Sequence, residues 1–141
     1  MESKISILIV DDEFGVRESL KMIFKPICQV YTAMDGQEAL EYIQRDRFDI
    51  VTLDLKMPGL SGIDVLREIK KNNPDIEVMI ITGYGTGQNL KEASQLGAGE
   101  FITKPFNVPD LINRVNKSLQ KRTQNLRLKN FSLYNSLVVR N

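Results

Sequence analysis

The sequence predicts an α/β domain built on a doubly wound, five-stranded parallel sheet with five helices. Three observations predict it. Short β-rich runs alternate with stretches of helical periodicity along most of the chain. The first run, Ile5–Val10, is continuously apolar, as expected of a strand buried on both faces. The connections between runs are short, which suits a parallel sheet covered by helices on both sides.

Each element has its own signal. After Ile5–Val10, the residues Val16, Leu20, Ile23 and Phe24 fall at helical spacing, and Lys25-Pro26 closes that helix. Gln29–Ala33 reads as the second strand. Asp35 caps a second helix with Ala39, Leu40 and Ile43 on its inner side. Ile50–Leu53 is the third strand, followed by a turn at Met57-Pro58-Gly59. Ser61 caps a third helix carrying Val65, Leu66 and Ile69, which stops before Pro74. Ile76–Ile81 is the fourth strand, and the glycines of TGYGTG loosen the loop after it. Their spacing and their place in the chain do not match the dinucleotide-binding fingerprint. A weakly apolar fourth helix runs through Leu90, Ala93 and Leu96 and ends at Gly97 and Gly99. Phe101–Thr103 is a short fifth strand, and Val108, Ile112, Val115 and Leu119 mark the fifth helix.

Ile112, Leu119, Leu126 and Leu133 are spaced seven apart, so the pattern allows the fifth helix to run on as a coiled-coil stem. The positions between them are mostly polar, which weakens that seam. We therefore expect one domain over residues 1–122 and a basic linker or helical extension over residues 123–141.

Composition narrows the function classes. The 141 residues suit one domain with one core. No apolar run approaches membrane-spanning length, and acids interrupt the apolar start too early for a signal peptide. The lone Cys28 excludes an internal disulfide, fits a reducing cytoplasm, and is expected to be a small buried hydrophobe in CQVYTA. There is no histidine, which removes the usual general base, the usual zinc ligand and any phosphohistidine relay within the chain. The net charge of +1 hides a division: residues 1–110 carry 12 Lys/Arg against 18 Asp/Glu, whereas residues 111–141 carry 7 against none. A basic run of this kind is more often a solvated helix face than a nucleic-acid contact. The tail shows no helix-turn-helix or aromatic-interleaved pattern.

Asp11 and Asp12 follow the KISILIV run, Asp54 follows DIVTL, and Lys104 follows EFIT. In an open parallel sheet the carboxyl ends of the strands share one edge, where ligands bind, so these four residues should converge. Carboxylates packed together resist ionisation unless a cation is present. A divalent metal answers that need, with the lysine left to hold an anion, and the set points to phosphoryl chemistry. Asp54 is the candidate nucleophile toward phosphorus; its structural alternative is a turn-forming aspartate before MPG. Asp11 and Asp12 are candidate magnesium ligands that would equally serve the start of a helix. Lys104 would pair with a phosphoryl group as a point charge, and Thr82 would hydrogen-bond one of its oxygens. Taken singly, Lys104 and Thr82 are ordinary surface and loop residues.

The motifs LIVDDE, LDLKMPGLSG, MIITGYG and EFITKPF, in this order, resemble the receiver domain of two-component response regulators. The match runs from about Lys4 to about Leu119. The resemblance implies a flavodoxin-like sheet in the order 2-1-3-4-5. It implies that Asp54 is a phosphoacceptor fed by a histidine kinase or a phosphotransfer protein, and that the chain is not an enzyme in its own right. It implies Mg²⁺, or Mn²⁺ in its place, on Asp12, Asp54 and the backbone carbonyl of Lys56, with Asp11 assisting. Thr82 and Lys104 match the family's switch hydroxyl and phosphoryl-holding lysine, and Phe101 matches the aromatic that turns inward on phosphorylation. The Lys104-Pro105 bond is expected to be cis. Lys56 and Tyr84 would flank the route of water to the phosphoryl group and lengthen its lifetime. The family's dimer surface is the face of the fourth helix, fifth strand and fifth helix, and an output domain, transcriptional in kind, would follow the C-terminus. Two other readings are an unphosphorylated docking module and a phosphatase of the haloacid dehalogenase type. The latter needs a second acid where this chain has Lys56.

Overall fold

The computed structural model describes residues 4–83 and 87–139, with side chains described as far as Lys129. The elements are β1 (Ile5–Val10), α1 (Phe14–Phe24), β2 (Cys28–Ala33), α2 (Gly36–Arg45), β3 (Ile50–Leu53), α3 (Gly62–Asn72), β4 (Glu77–Thr82), α4 (Gly87–Gln95), β5 (Glu100–Thr103) and α5 (Val108–Val139). The five strands are parallel and ordered β2-β1-β3-β4-β5.

Strand side chains point alternately to opposite faces, so a strand that is apolar at every position feeds two cores. In β1, Leu8 and Val10 join one cluster while Ile7 and Ile9 join the other. In β4, Val78 and Ile80 go one way and Met79 and Ile81 the other. The first cluster is closed by Ala39 and Ile43 of α2, Val65, Leu66 and Ile69 of α3, and Ala93 of α4. The second is closed by Leu20 and Phe24 of α1 and Leu111 and Val115 of α5. Two helix starts are fixed by side chains as the sequence indicates. Asp35 accepts a hydrogen bond from the Glu38 N–H at 2.8 Å, and Ser61 accepts one from the Asp64 N–H at 3.2 Å.

Strands β2 and β5 each begin one residue earlier than the sequence pattern indicates, and β4 begins and ends one residue later. Cys28 is accordingly in β2 and buried, and that burial, helped by the charge of Asp49, pushes its thiol above the ordinary value. The inner face of α5 runs beside the Val108-to-Leu119 series. Leu111, Val115 and Ser118 are fully buried, Ile112 and Leu119 are half-buried, and Val108 is exposed. The Val108-to-Leu119 spacing marks the edge of the buried stripe, because the helix drops onto the sheet through Leu111. From Val108, α5 continues without interruption to Val139, a span of 32 residues. In the heptad series, Ile112 and Leu119 are spent on the domain's own core, and Leu133 lies outside the residues whose side chains are described. Among the described residues, no helix is long and apolar enough to cross a membrane.

One glycine is required by a close approach. A Cβ on Gly62 would lie 2.4 Å from the carbonyl oxygen of Asp54 and 2.5 Å from the Leu55 Cα, where α3 starts directly beneath the end of β3. A Cβ on Gly15, in exposed α1, meets nothing within 4 Å. Gly62→Ala should therefore cost about 2 kcal/mol or more in urea denaturation, because backbone must shift. Gly15→Ala should gain about 0.5–1 kcal/mol by stiffening the unfolded chain. Equal effects of the two substitutions would contradict this account of the β3–α3 junction.

Candidate functional site

The site forms because three strands end at one sheet edge. Parallel pairing sets β1, β3 and β4 in step, with Val10 beside Leu53 and Leu53 beside Ile80. The backbone N–H of Asp11 donates to the Ala33 carbonyl at 3.1 Å, and that of Asp54 donates to the Val10 carbonyl at 3.1 Å. Both aspartates are thus pinned by main chain at the last rung of the sheet. Lys104 follows β5, and its N–H donates to the Thr82 carbonyl at 3.1 Å, which ties the ends of β4 and β5 together. The Lys104-Pro105 peptide is cis, as expected.

The side chains meet in the same order. Lys104 Nζ lies 2.7 Å from Asp11 Oδ2 and 3.0 Å from Asp54 Oδ2, across 93 and 50 residues of sequence. The other oxygen of each carboxylate is held by backbone. Asp11 Oδ1 accepts from the Glu13 N–H at 2.9 Å, and Asp54 Oδ1 accepts from the Lys56 N–H at 3.1 Å. Each carboxylate therefore has one oxygen on a peptide N–H and one on the ammonium, which fixes both orientations. Asp11 and Asp54 are 2% and 5% exposed, whereas Asp12 and Glu13 are open to solvent. Oxygens of Asp11, Asp12, Glu13 and Asp54 all lie within 4.8 Å of one another.

Four carboxylates beside one ammonium leave the cluster under-neutralised. Burial raises the Asp11 carboxyl above its ordinary value of 3.8 and the Asp54 charge adds to this, against the opposing hydrogen bonds from Lys104 and the Glu13 N–H. Burial acts to lower the Lys104 ammonium, but its hydrogen bonds to Asp11 and Asp54, with their charges, outweigh that and hold it above 10.5. The donor set is all hard oxygen, carboxylates with open solvent on one side, which fits magnesium retaining several waters. These residues fit that ion.

The cluster opens into a cleft of about 980 Å³ that also takes in Lys56, Val16, Ile23 and Phe106. Thr82 is buried at the end of β4. Phe101 is half-buried and packs against the core shared with α2, α3 and α4. Tyr84 lies outside the described residues.

Sequence reasoning missed three contributors. Glu13 is the fourth acid, with its Oε1 3.6 Å from Lys104 Nζ. Its signal was in plain view as the third acid of LIVDDE. Arg17 Nη1 donates to the Asp11 carbonyl oxygen at 2.7 Å, placing a guanidinium behind the cluster. Its position one helical turn beyond the acids is the only trace of that in the sequence. Gly62 abuts the Asp54 backbone, and its trace in the sequence is its place as the last residue of LDLKMPGLSG.

Residues 7–116 match the family model described as the response regulator receiver domain. The chain belongs to that family. As a receiver domain it is a phosphoacceptor in signalling rather than a catalytic enzyme. The receiver is 39% identical over 114 residues to sporulation initiation phosphotransferase F of Bacillus subtilis (strain 168), covering 80% of this chain and 92% of that one. It is 35% identical over 121 residues to the response regulator MprA of Mycolicibacterium vanbaalenii, covering 84% of this chain but 52% of that one. It thus spans most of the first relative and about half the length of the second. Among solved structures, it superposes on a CheY-like receiver domain protein from Methanospirillum hungatei JF-1 with a TM-score of 0.85 and 29% identity, over 87% of this chain and 99% of that one. NtrX from Brucella abortus aligns with a TM-score of 0.85 and 31% identity over 91% of this chain and 30% of that one. These likenesses bear out the flavodoxin-like fold and the 2-1-3-4-5 order.

The raised Asp11 carboxyl gives a pH dependence with a definite sign. A group whose folded value is raised contributes stability that is present below its unfolded value and lost as pH climbs through the folded one. Without divalent cation, Asp11→Asn should therefore gain stability relative to wild type as pH rises above the carboxyl's ordinary value of 3.8. Magnesium should raise the thermal midpoint of wild type more than that of the variant, since an ion held by the folded cluster alone favours folding. A difference between the two proteins that stays flat with pH and ignores magnesium would contradict the account.

Proposed function

We propose that Asp54 takes a phosphoryl group, with Mg²⁺ bound, from a histidine kinase or phosphotransfer protein, and that the charge this brings reshapes the face of α4, β5 and α5 toward an output partner or domain. The observation that carries the reading is the Lys104 ammonium held between Asp11 and Asp54, at 2.7 and 3.0 Å. It is a countercharge stationed where phosphoryl oxygens would arrive. Asp12, Asp54 and the Lys56 carbonyl would hold the metal, with Asp11 assisting. Magnesium bound there supplies neutralisation of the charge that spreads over the phosphoryl oxygens.

The rest is done by the chain. The Asp54 carboxylate, aimed by the Lys56 N–H, attacks phosphorus as the bond from phosphorus to the donor's imidazole nitrogen breaks, and the pair of electrons leaves with the imidazole. Lys104 then transfers its hydrogen bonds from carboxylate to phosphoryl oxygen. Thr82, joined to Lys104 through their backbones, brings its hydroxyl to another. The move of Thr82 frees volume for the half-buried Phe101 to turn inward, a shift between two packings set by differential binding of the phosphoryl group. Lys56 and Tyr84 restrict the access of water and slow hydrolysis.

We read residues 1–122 as the receiver and residues 123–141 as a basic extension of its last helix. The output is transcriptional in this reading, as the names of several relatives would have it, including the probable transcriptional regulator ycf27 of Cyanophora paradoxa, which is 37% identical. The similarity to sporulation initiation phosphotransferase F, nearly all of which this chain spans, favours a second arrangement in which the output is a separate protein.

A phosphohistidine donor mixed with the chain and Mg²⁺ should lose its label to it, and borohydride trapping should map the acyl phosphate to Asp54. Label at any other residue would overturn the assignment. Lys56→Asn combined with Tyr84→Ala should shorten the phosphoryl lifetime severalfold, and an unchanged lifetime would remove those two residues from the reading.

A further inference from the structure

The strands that carry the site are gripped at their other ends by α5. Asp54, Thr82 and Lys104 stand at the carboxyl ends of β3, β4 and β5. At the opposite ends stand Asp49, just before β3, Asp75, just before β4, and Glu100, the first residue of β5. Each pairs with a cation of α5. Arg122 Nη1 lies 3.1 Å from Asp49 Oδ1, Lys129 pairs with Asp75, and Lys121 Nζ lies 3.6 Å from Glu100 while donating to the Gly99 carbonyl at 2.9 Å. Arg114 Nη1 adds a 2.7 Å bond to the Phe101 carbonyl from the same helix.

The spacing within α5 is informative. Leu119, Arg122, Leu126 and Lys129 recur at intervals of three and four, which is one helix face. Leu119 is packed on the core and Leu126 is half-buried, while Leu128, off that strip, is 65% exposed. The extension therefore lies along the domain's foot on an alternating apolar and basic strip. Exposed ion pairs contribute little singly. Arg122 differs from that case, because its Nε is buried without a hydrogen-bond partner and its charge is answered by Asp49. Removing that carboxylate's charge would leave a half-buried guanidinium uncompensated. The acidic body and the basic tail are thus complementary parts of one contact.

We propose that the extension of α5 is a charge-latched lever, held on the feet of β3, β4 and β5 so that a change at the phosphoryl edge of those strands alters the hold on the helix. The coupling step rests on the phosphoacceptor reading, whereas the latch does not. The latch directs Lys121, Arg122 and Lys129 inward to this chain's own acids. It also places Leu126 of the heptad series against the domain, so the strip serves the lever before it can serve a seam between copies.

The test is amide hydrogen exchange over residues 119–129, read by mass spectrometry in the full chain. Asp49→Asn with Asp75→Asn removes charge from the body while keeping the acceptor that Asp49 offers to the Ser6 N–H at 2.9 Å. Arg122→Gln with Lys129→Gln removes it from the helix. Each pair of substitutions should speed exchange of this segment by about threefold or more, with the segments around Asp54 unchanged. Wild-type protection in both variants would overturn the latch. Beryllofluoride with Mg²⁺, its binding counted by the ¹⁹F signal, should change exchange of the segment in wild type and leave the charge-removed variants unmoved. Bound fluoride with an unmoved wild-type segment would overturn the lever. Absence of a bound ¹⁹F signal would count against the phosphoacceptor reading, and the ligand-free comparison would still decide the latch.

Discussion

Everything at the upper edge of this domain depends on one ammonium group between two buried carboxylates. Lys104 Nζ touches Asp11 and Asp54, and without it two nearly inaccessible negative charges would face each other at the ends of adjacent strands. Low exposure makes that repulsion costly, since solvent does little to screen it. The lysine relieves only part of the charge, because Asp12 and Glu13 bring further carboxylates into the same space. The remainder is an appetite for cations. The all-oxygen donor set fits a divalent cation.

The scaffold makes that imbalance tolerable by fixing it in place. Backbone N–H groups of Glu13 and Lys56 hold one oxygen of each buried aspartate, and Arg17 steadies the Asp11 carbonyl from α1. Gly62 lets α3 start against the Asp54 main chain. The apolar strands behind these residues send side chains into two cores, one on each face of the sheet.

Much of this was legible in the sequence, and the reasons are local. The continuous apolar run Ile5–Val10, the caps at Asp35 and Ser61, and the strand-end charges Asp11, Asp54 and Lys104 are all read from neighbouring residues, and the structure brings the charges together as parallel topology requires. Features that need long-range geometry were not legible. The partner of Arg122 is 73 positions earlier in the chain, and the reason for Gly62 at the end of LDLKMPGLSG emerges only when α3 is packed. The periodicity that marks α5 shows Val108, Ile112, Val115 and Leu119 but not Leu111, which is fully buried in the second core. The seven-residue series through Ile112, Leu119 and Leu126 allowed a coiled-coil stem, and Ile112 and Leu119 pack against the domain's own core.

The central claim is that Asp54 is a nucleophile toward phosphorus in this charge environment. The most direct measurement is intact mass after incubation with acetyl phosphate, for wild type and Asp54→Asn, with and without Mg²⁺. The account predicts a single phosphoryl adduct that is labile to hydroxylamine, formed by wild type only, and only with Mg²⁺. An adduct that survives Asp54→Asn, or none in wild type with Mg²⁺ present, would contradict it.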